Sequence, residues 1–138
     1  MILPYLNYCN LVWGSTYKTN LQRIVILQKR VIRMVNKSYY NAHTEPIFKK
    51  LNLLKFLDIH LMHLGHLMFS FKNAILPRKF ENIFTINNQI HRYNTRHANS
   101  FCLPLCRTNI RKFSAFFQGP KFFNSLTWNF GLFIANIF

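Results

Sequence analysis

The chain has 138 residues, about one domain by size, and half of them are hydrophobic, which excludes disorder as the default state. Eighteen Lys and Arg face only Glu45, Asp58 and Glu81, a formal net charge of +15, so a self-neutralising surface is excluded and a polyanionic partner is implied. Cys9, Cys102 and Cys106 are too few, and odd in number, for a disulfide framework, and they fit a reducing interior.

The opening MILPYLNYCNLVWG has no basic n-region and no small-residue cleavage site, so a secretory signal is not expected. PYLNYCNLVWG predicts a buried helix ending at Gly14. A buried first element without a lead-in is what a piece cut from a longer polypeptide would show. Next, NLQRIVILQKRVIRMVNK places Leu21, Ile24, Val25, Val31, Ile32 and Val35 in one helical stripe. Arg23, Arg30, Arg33 and Lys37 fall on the opposite side, with Lys29 at the flank, and Thr19 or Asn20 is the expected N-cap.

HTEPIFKKLN predicts a short helix capped by Thr44, with Glu45 and Pro46 in its first turn. KFLDIHLMHLGHLMFSFKNAI predicts a long helix, apolar around most of its circumference, at the centre of a small bundle. Gly65 weakens it by up to about 1 kcal/mol unless a neighbour packs close there. From Pro77 to Ser100 the chain is polar and Asn-rich, a connector with about one helical turn. SFCLPLC and RKFSAFF suggest short extended segments, and GPKFFNSL a helix opened by Gly119-Pro120.

The expected fold is therefore mainly α. It comprises a helical bundle over 1–75, a connector over 76–100, and a small mixed α/β unit over 101–138 with a degenerate tail. No stretch reaches the roughly 20 apolar residues of a spanning helix. FFNSLTWNFGLFIANIF comes nearest, but Asn124, Asn129 and Asn136 interrupt it. An intracellular location, nuclear or cytoplasmic, is expected.

Hydrolysis and two-metal phosphoryl transfer need clustered carboxylates, and the three acids here lie in different elements. There is no glycine-rich phosphate loop and no nucleophile elbow, so no catalysis and no small-molecule substrate are expected. His60, His63 and His66 sit three apart on the long helix, but the outer two are roughly 9 Å apart along its axis, which suits boundary histidines better than a metal. His91, His97, Cys102 and Cys106, spaced H-x5-H-x4-C-x3-C, are the better zinc candidates, although the first spacing is long and Pro104 stiffens the Cys pair. The strongest positive feature is the interleaving of Arg92, Tyr93, Arg96 and His97, then Arg107, Arg111 and Lys112, with aromatic rings. The cations suit phosphates and exposed rings can stack on unpaired bases. Phe113, Phe116, Phe122 and Phe123 are assigned to the core.

The motifs YCNLVWG at 8–14, LQKR at 27–30, HTEPIFKKLNLL at 43–54, YNTR at 93–96, and RTNIRKFS with GPKFFNSL have a familiar order and spacing. Together they resemble the C-terminal region of reverse transcriptases from non-LTR, LINE-type, jockey-like retrotransposons, from Leu3 to about Leu126. The resemblance implies a region beyond the polymerase palm, following or completing the thumb. It also implies that the catalytic aspartates and their magnesium belong to polypeptide not represented here, so no cofactor is expected. Two departures stand out. The family's WNSLP is replaced by Phe123-Asn124-Ser125-Leu126-Thr127, and the uncharged WNFGLFIANIF stands where a charged amphipathic helix is expected. The implied function is sequence-independent binding of RNA or DNA backbone by Arg23, Lys29, Arg30, Arg33, Arg92, Arg96, Arg107, Arg111 and Lys112. Two alternatives are a self-standing, possibly zinc-dependent, nucleic-acid-binding module and a basic membrane-surface protein; the second is disfavoured.

Overall fold

The computed structural model describes residues 3–91, 93 and 95–127. Helices dominate: α1 (Leu3–Asn7), α2 (Asn10–Trp13), α3 (Lys18–Val35), α4 (Glu45–Lys50), α5 (Phe56–Lys72), α6 (Asn87–Ile90), α7 (Asn109–Lys112) and α8 (Ala115–Thr127), with a 3-10 turn at Arg78–Phe80. The chain forms two compact units, Met1–Met62 and His63–Phe138, the division falling inside α5.

In the first unit, PYLNYCNLVWG gives two short helical pieces instead of one, because Cys9 takes a left-handed conformation at φ 48°. Leu6, Leu21 and Phe56 are buried together, with Trp13, Ile24 and Val25 against them; the Trp13 and Phe56 rings stack at 5.2 Å. A second cluster joins Ile32 with Ile47 and Phe48 of α4. The α3 stripe forms as the spacing predicts, except that Val35, the last residue of the helix, is exposed. The helix starts at Lys18 with Tyr17 in the cap position, two or three residues before the expected Thr19 or Asn20. Tyr17 can precede the helix because its carbonyl accepts from the Asn20 and Leu21 amides at 3.0 and 3.2 Å.

A polar side chain stitches this unit. Gln28 donates from Nε2 to the Leu54 carbonyl and accepts the Phe56 N–H at Oε1, both at 3.0 Å, so α3 holds the start of α5. Thr44 occupies the α4 cap position, but its side chain makes no capping bond, and Pro46 sits in the first turn as expected.

The second unit is organised around Met68, Phe84 and Phe101, packed with Phe71, Ile86 and Phe123. Phe84 and Phe101 meet Phe71 edge-on at centroid distances of 4.9 and 5.9 Å. Phe84 and Phe101 flank the later part of the polar segment, which is closed by two bonds: the Cys102 N–H donates to the Thr85 carbonyl at 2.8 Å and the Asn87 N–H to the Ser100 carbonyl at 3.0 Å. The segment is therefore a closed loop pinned by aromatic residues at its base. Leu57, Leu61, Met62 and Phe69 of α5 remain exposed, so the helix is not enclosed on all sides.

The expected short strands do not form. Among the described residues β-type pairing is confined to one antiparallel bridge, Ile86 with Phe101. RKFSAFF instead spans the end of α7 and the start of α8. Helix α8 continues through GPKFFNSL and sets Phe123 against Phe101, with centroids 5.3 Å apart. Gly119-Pro120 lies inside α8 and not at its start. The Pro120 ring removes one helical N–H, a cost set against its full burial. A Cβ on Gly119 would stand 2.9 Å from Met68 Sδ, so glycine lets α8 approach α5.

Candidate nucleic-acid interface

On α3, Arg23, Lys29 and Arg30 are exposed. Arg23 and Arg30 are seven residues apart and nearly in line, roughly 10 Å along the axis, which is the rise of about three nucleotides on one strand. Arg33 behaves differently. It is half-buried, and its Nε donates to the Ala42 carbonyl at 2.9 Å, strapping the turn after α3. Exposed Ile26, Leu27 and Met34 stand among these cations, so the outer face is basic and partly apolar.

In the second unit Arg96 is exposed in the closed loop, Arg107 precedes α7, and Arg111 and Lys112 form its last turn. Arg92 lies outside the described residues. Among the described residues Arg23, Lys29, Arg30, Arg96, Arg107, Arg111 and Lys112 have no ion-pair partner, and the ion pair that does form joins Lys55 to Glu45. No acidic residue follows Glu81 in the sequence. Phosphate binding by these side chains would therefore break no internal bridge.

Arg111 also lines a cleft of about 420 Å³ in the second unit, walled by Phe84, Phe116 and Phe117 with Cys102 and Ser114. Sequence reasoning assigned Arg111 to a charged surface and missed the aromatic wall, because that wall exists only once α7 and α8 are helices.

The histidines of α5 take three separate roles. His60 is buried and its Nδ1 lies 2.8 Å from Asn10 Oδ1. His63 buries an Nε2 that has no partner among the described residues. His66 Nδ1 is 3.4 Å from Ser70 Oγ. Among the described residues no three His, Cys, Asp or Glu side chains stand together as a metal-ligand set, and the pairs His91, His97 and Cys102, Cys106 are not gathered into one. The magnesium of a polymerase does not fit these residues either, since the three carboxylates occupy different elements and Glu45 is paired with Lys55. No described helix is long and apolar enough to cross a membrane. The apolar tail, residues 128–138, lies outside the described residues.

Tyr39 and Tyr40 were also missed. They lie in the turn after α3, past Asn36, Lys37 and Ser38, and are 92% and 72% exposed. Two adjacent tyrosines after a basic helix were the available signal. No protein-family model, curated protein or solved structure matches the chain.

Proposed function

We propose that this chain is a non-catalytic C-terminal piece of a non-LTR retrotransposon reverse transcriptase that binds RNA or DNA by its phosphates, without reading sequence. The origin rests on the order of the motifs from YCNLVWG to GPKFFNSL. The binding rests on one observation: exposed arginines and lysines on both units that form no ion pair among the described residues, Lys29 alone acting at longer range on Glu45. A cation already paired inside the protein must give up that partner to reach a phosphate, and these need not. Binding of this kind belongs in the nucleus or cytoplasm, where the nucleic acid is.

Replacing Arg23, Lys29 and Arg30 together with glutamine tests the binding. Arg33 is spared because its bond to Ala42 is structural. If all three meet phosphates, the slope of log affinity against log salt should flatten by about two to three units. An unchanged slope rejects the assignment. The genomic sequence adjoining the Met1 codon tests the origin: a palm-encoding frame upstream supports it, and unrelated sequence rejects it.

A second reading is favoured by one feature, the exposed Ile26, Leu27 and Met34 between the cations of α3. Such a face also suits an anionic membrane surface. Flotation with phosphatidylserine vesicles separates the two: recovery with the vesicles, together with loss in the Leu27→Glu variant, would favour the membrane.

A further inference from the structure

We propose that Tyr39 and Tyr40 form a stacking platform for unpaired bases, making single-stranded RNA or DNA the preferred ligand of the first unit. The inference rests on the phosphate-binding reading above and adds to it the form of nucleic acid recognised.

Three observations carry it. The first is exposure: Tyr39 is 92% and Tyr40 72% exposed, so both rings lie open to solvent. A tyrosine ordinarily buries much of its ring, and two neighbours left out together contribute nothing to the core. The second is the rigidity of their support. The Ser38 N–H donates to Arg33 at 2.9 Å, Asn36 Nδ2 to Ser38 Oγ at 2.6 Å, and the Ala42 N–H to Tyr39 at 3.0 Å. Arg33 Nε closes the turn on the Ala42 carbonyl, and Ala42 packs against Ile32, Ile47 and Phe48. Lys37 accepts a left-handed conformation, φ 50°, to let the chain reverse. A turn tied at both ends presents its rings with little ordering left to do on binding.

The third is charge. Lys37 precedes the pair in sequence and Arg30 occupies an earlier turn of α3, while Arg33 is held by the turn itself. A helix C-terminus by itself repels phosphate, so cations there offset the dipole and admit a strand. Rings take base faces and cations take the backbone, which is how sequence-tolerant single-strand binders divide the task. In a duplex the base faces are covered, and only the backbone contacts remain.

Tyr5 and Tyr8 are also exposed, at 80% and 77%, but the nearest cation in sequence is Lys18, so they serve as a control.

The test uses the full chain with a fluorescent 12-nucleotide single strand and the matching duplex at low salt. The wild type should bind the single strand more tightly. Tyr39→Ala with Tyr40→Ala should weaken single-strand binding roughly tenfold or more, leave duplex binding unchanged, and keep the salt slope, since no charge is lost. Tyr39→Trp with Tyr40→Trp should retain the preference for single strands. Equal loss on strand and duplex, no loss on either, or a loss that follows Tyr5→Ala with Tyr8→Ala instead, would overturn the platform while leaving phosphate binding standing. A wild type that binds neither ligand would overturn both readings. Loss of phosphatidylserine-vesicle binding in the double alanine variant, with strand affinity intact, would assign the tyrosines to a membrane and overturn the proposal.

Discussion

His60 Nδ1 lies 2.8 Å from the side-chain oxygen of Asn10 and 3.2 Å from its backbone oxygen, across fifty residues of sequence. Asn10 Nδ2 is committed to the Leu6 carbonyl at 2.8 Å, so the amide's oxygen is the atom that faces the ring. Both atoms opposite Nδ1 are acceptors, and the proton of His60 therefore sits on Nδ1. All of this occurs in nearly dry surroundings, with Asn10 at 1% and His60 at 6% exposure.

The first prediction follows from Gly14, which closes this arrangement. A Cβ there would collide with His60 Nδ1 and with both oxygens of Asn10. Gly14→Ala should lower the urea midpoint without changing the m-value. Asn10→Ala removes the side-chain bonds to His60 and Leu6 and should cost about 1–3 kcal/mol. The double variant should lose less than the sum, because deleting the Asn10 oxygen relieves one of the Gly14 clashes. Strict additivity would show that the two sites do not share the ring.

Gly65 gives the opposite outcome. A Cβ there would meet Phe122 Cε1 at 3.6 Å, an ordinary contact. The close neighbour that could have required glycine in α5 is present but leaves room. Gly65→Ala should therefore stabilise the protein by about 0.5–1 kcal/mol through helix propensity alone, read as a higher urea midpoint. A lower midpoint would mean that Phe122 cannot yield even at that distance.

These glycines show where sequence reading works. The helices α3, α4 and α5 were legible because period, Pro46 and the polar breaks agree with one another. The start of α8 was not, since seven residues of RKFSAFF fit either period and Gly119-Pro120 resembles a helix opening. Only the approach to Met68 and the ring contact with Phe101 decide it. The cations of the candidate interface were visible as charge. Arg33's bond to Ala42 was not, because it depends on a left-handed Lys37 that no residue type there demands. The Tyr39-Tyr40 pair was hidden for the same reason: exposure is a property of the turn.

The Lys55–Glu45 pair supplies a pH-dependent prediction. The hydrogen bond from Lys55, with its charge, holds the Glu45 carboxyl below its ordinary value, and the same bond raises Lys55 above its own. For Glu45 the stabilisation is present above the unfolded carboxyl value and is lost as pH falls through the lowered folded one. For Lys55 it is present below the ordinary lysine value and is lost as pH rises through the raised one. Lys55→Met should return Glu45 towards its ordinary titration, read by NMR. The small stability gap from wild type should close in acid and shrink with salt, as both groups are exposed. An unshifted Glu45 in the wild type would show that the bridge does not persist in solution.

The last prediction concerns Asn124, which imitates a β-strand partner from a helix. Its Oδ1 accepts the Phe101 N–H at 2.9 Å and its Nδ2 donates to the Phe101 carbonyl at 2.8 Å. Phe101 thus has its backbone satisfied while its ring reaches Phe71, Phe84 and Phe123. Asn124→Ala should cost about 2–3 kcal/mol, because two part-buried backbone groups lose their partners at once. Asn124→Asp separates the two bonds: a carboxylate can still accept the N–H but sets a negative oxygen against the Phe101 carbonyl. It should be at least as destabilising as alanine at neutral pH and should recover part of the loss in acid, where the protonated carboxyl can donate. Phe101→Ala removes the ring and should cost about 3–5 kcal/mol at any pH. If Asn124→Asp showed no recovery in acid, the carbonyl bond would not be the one that matters, and the amide would be holding Phe101 by its N–H alone.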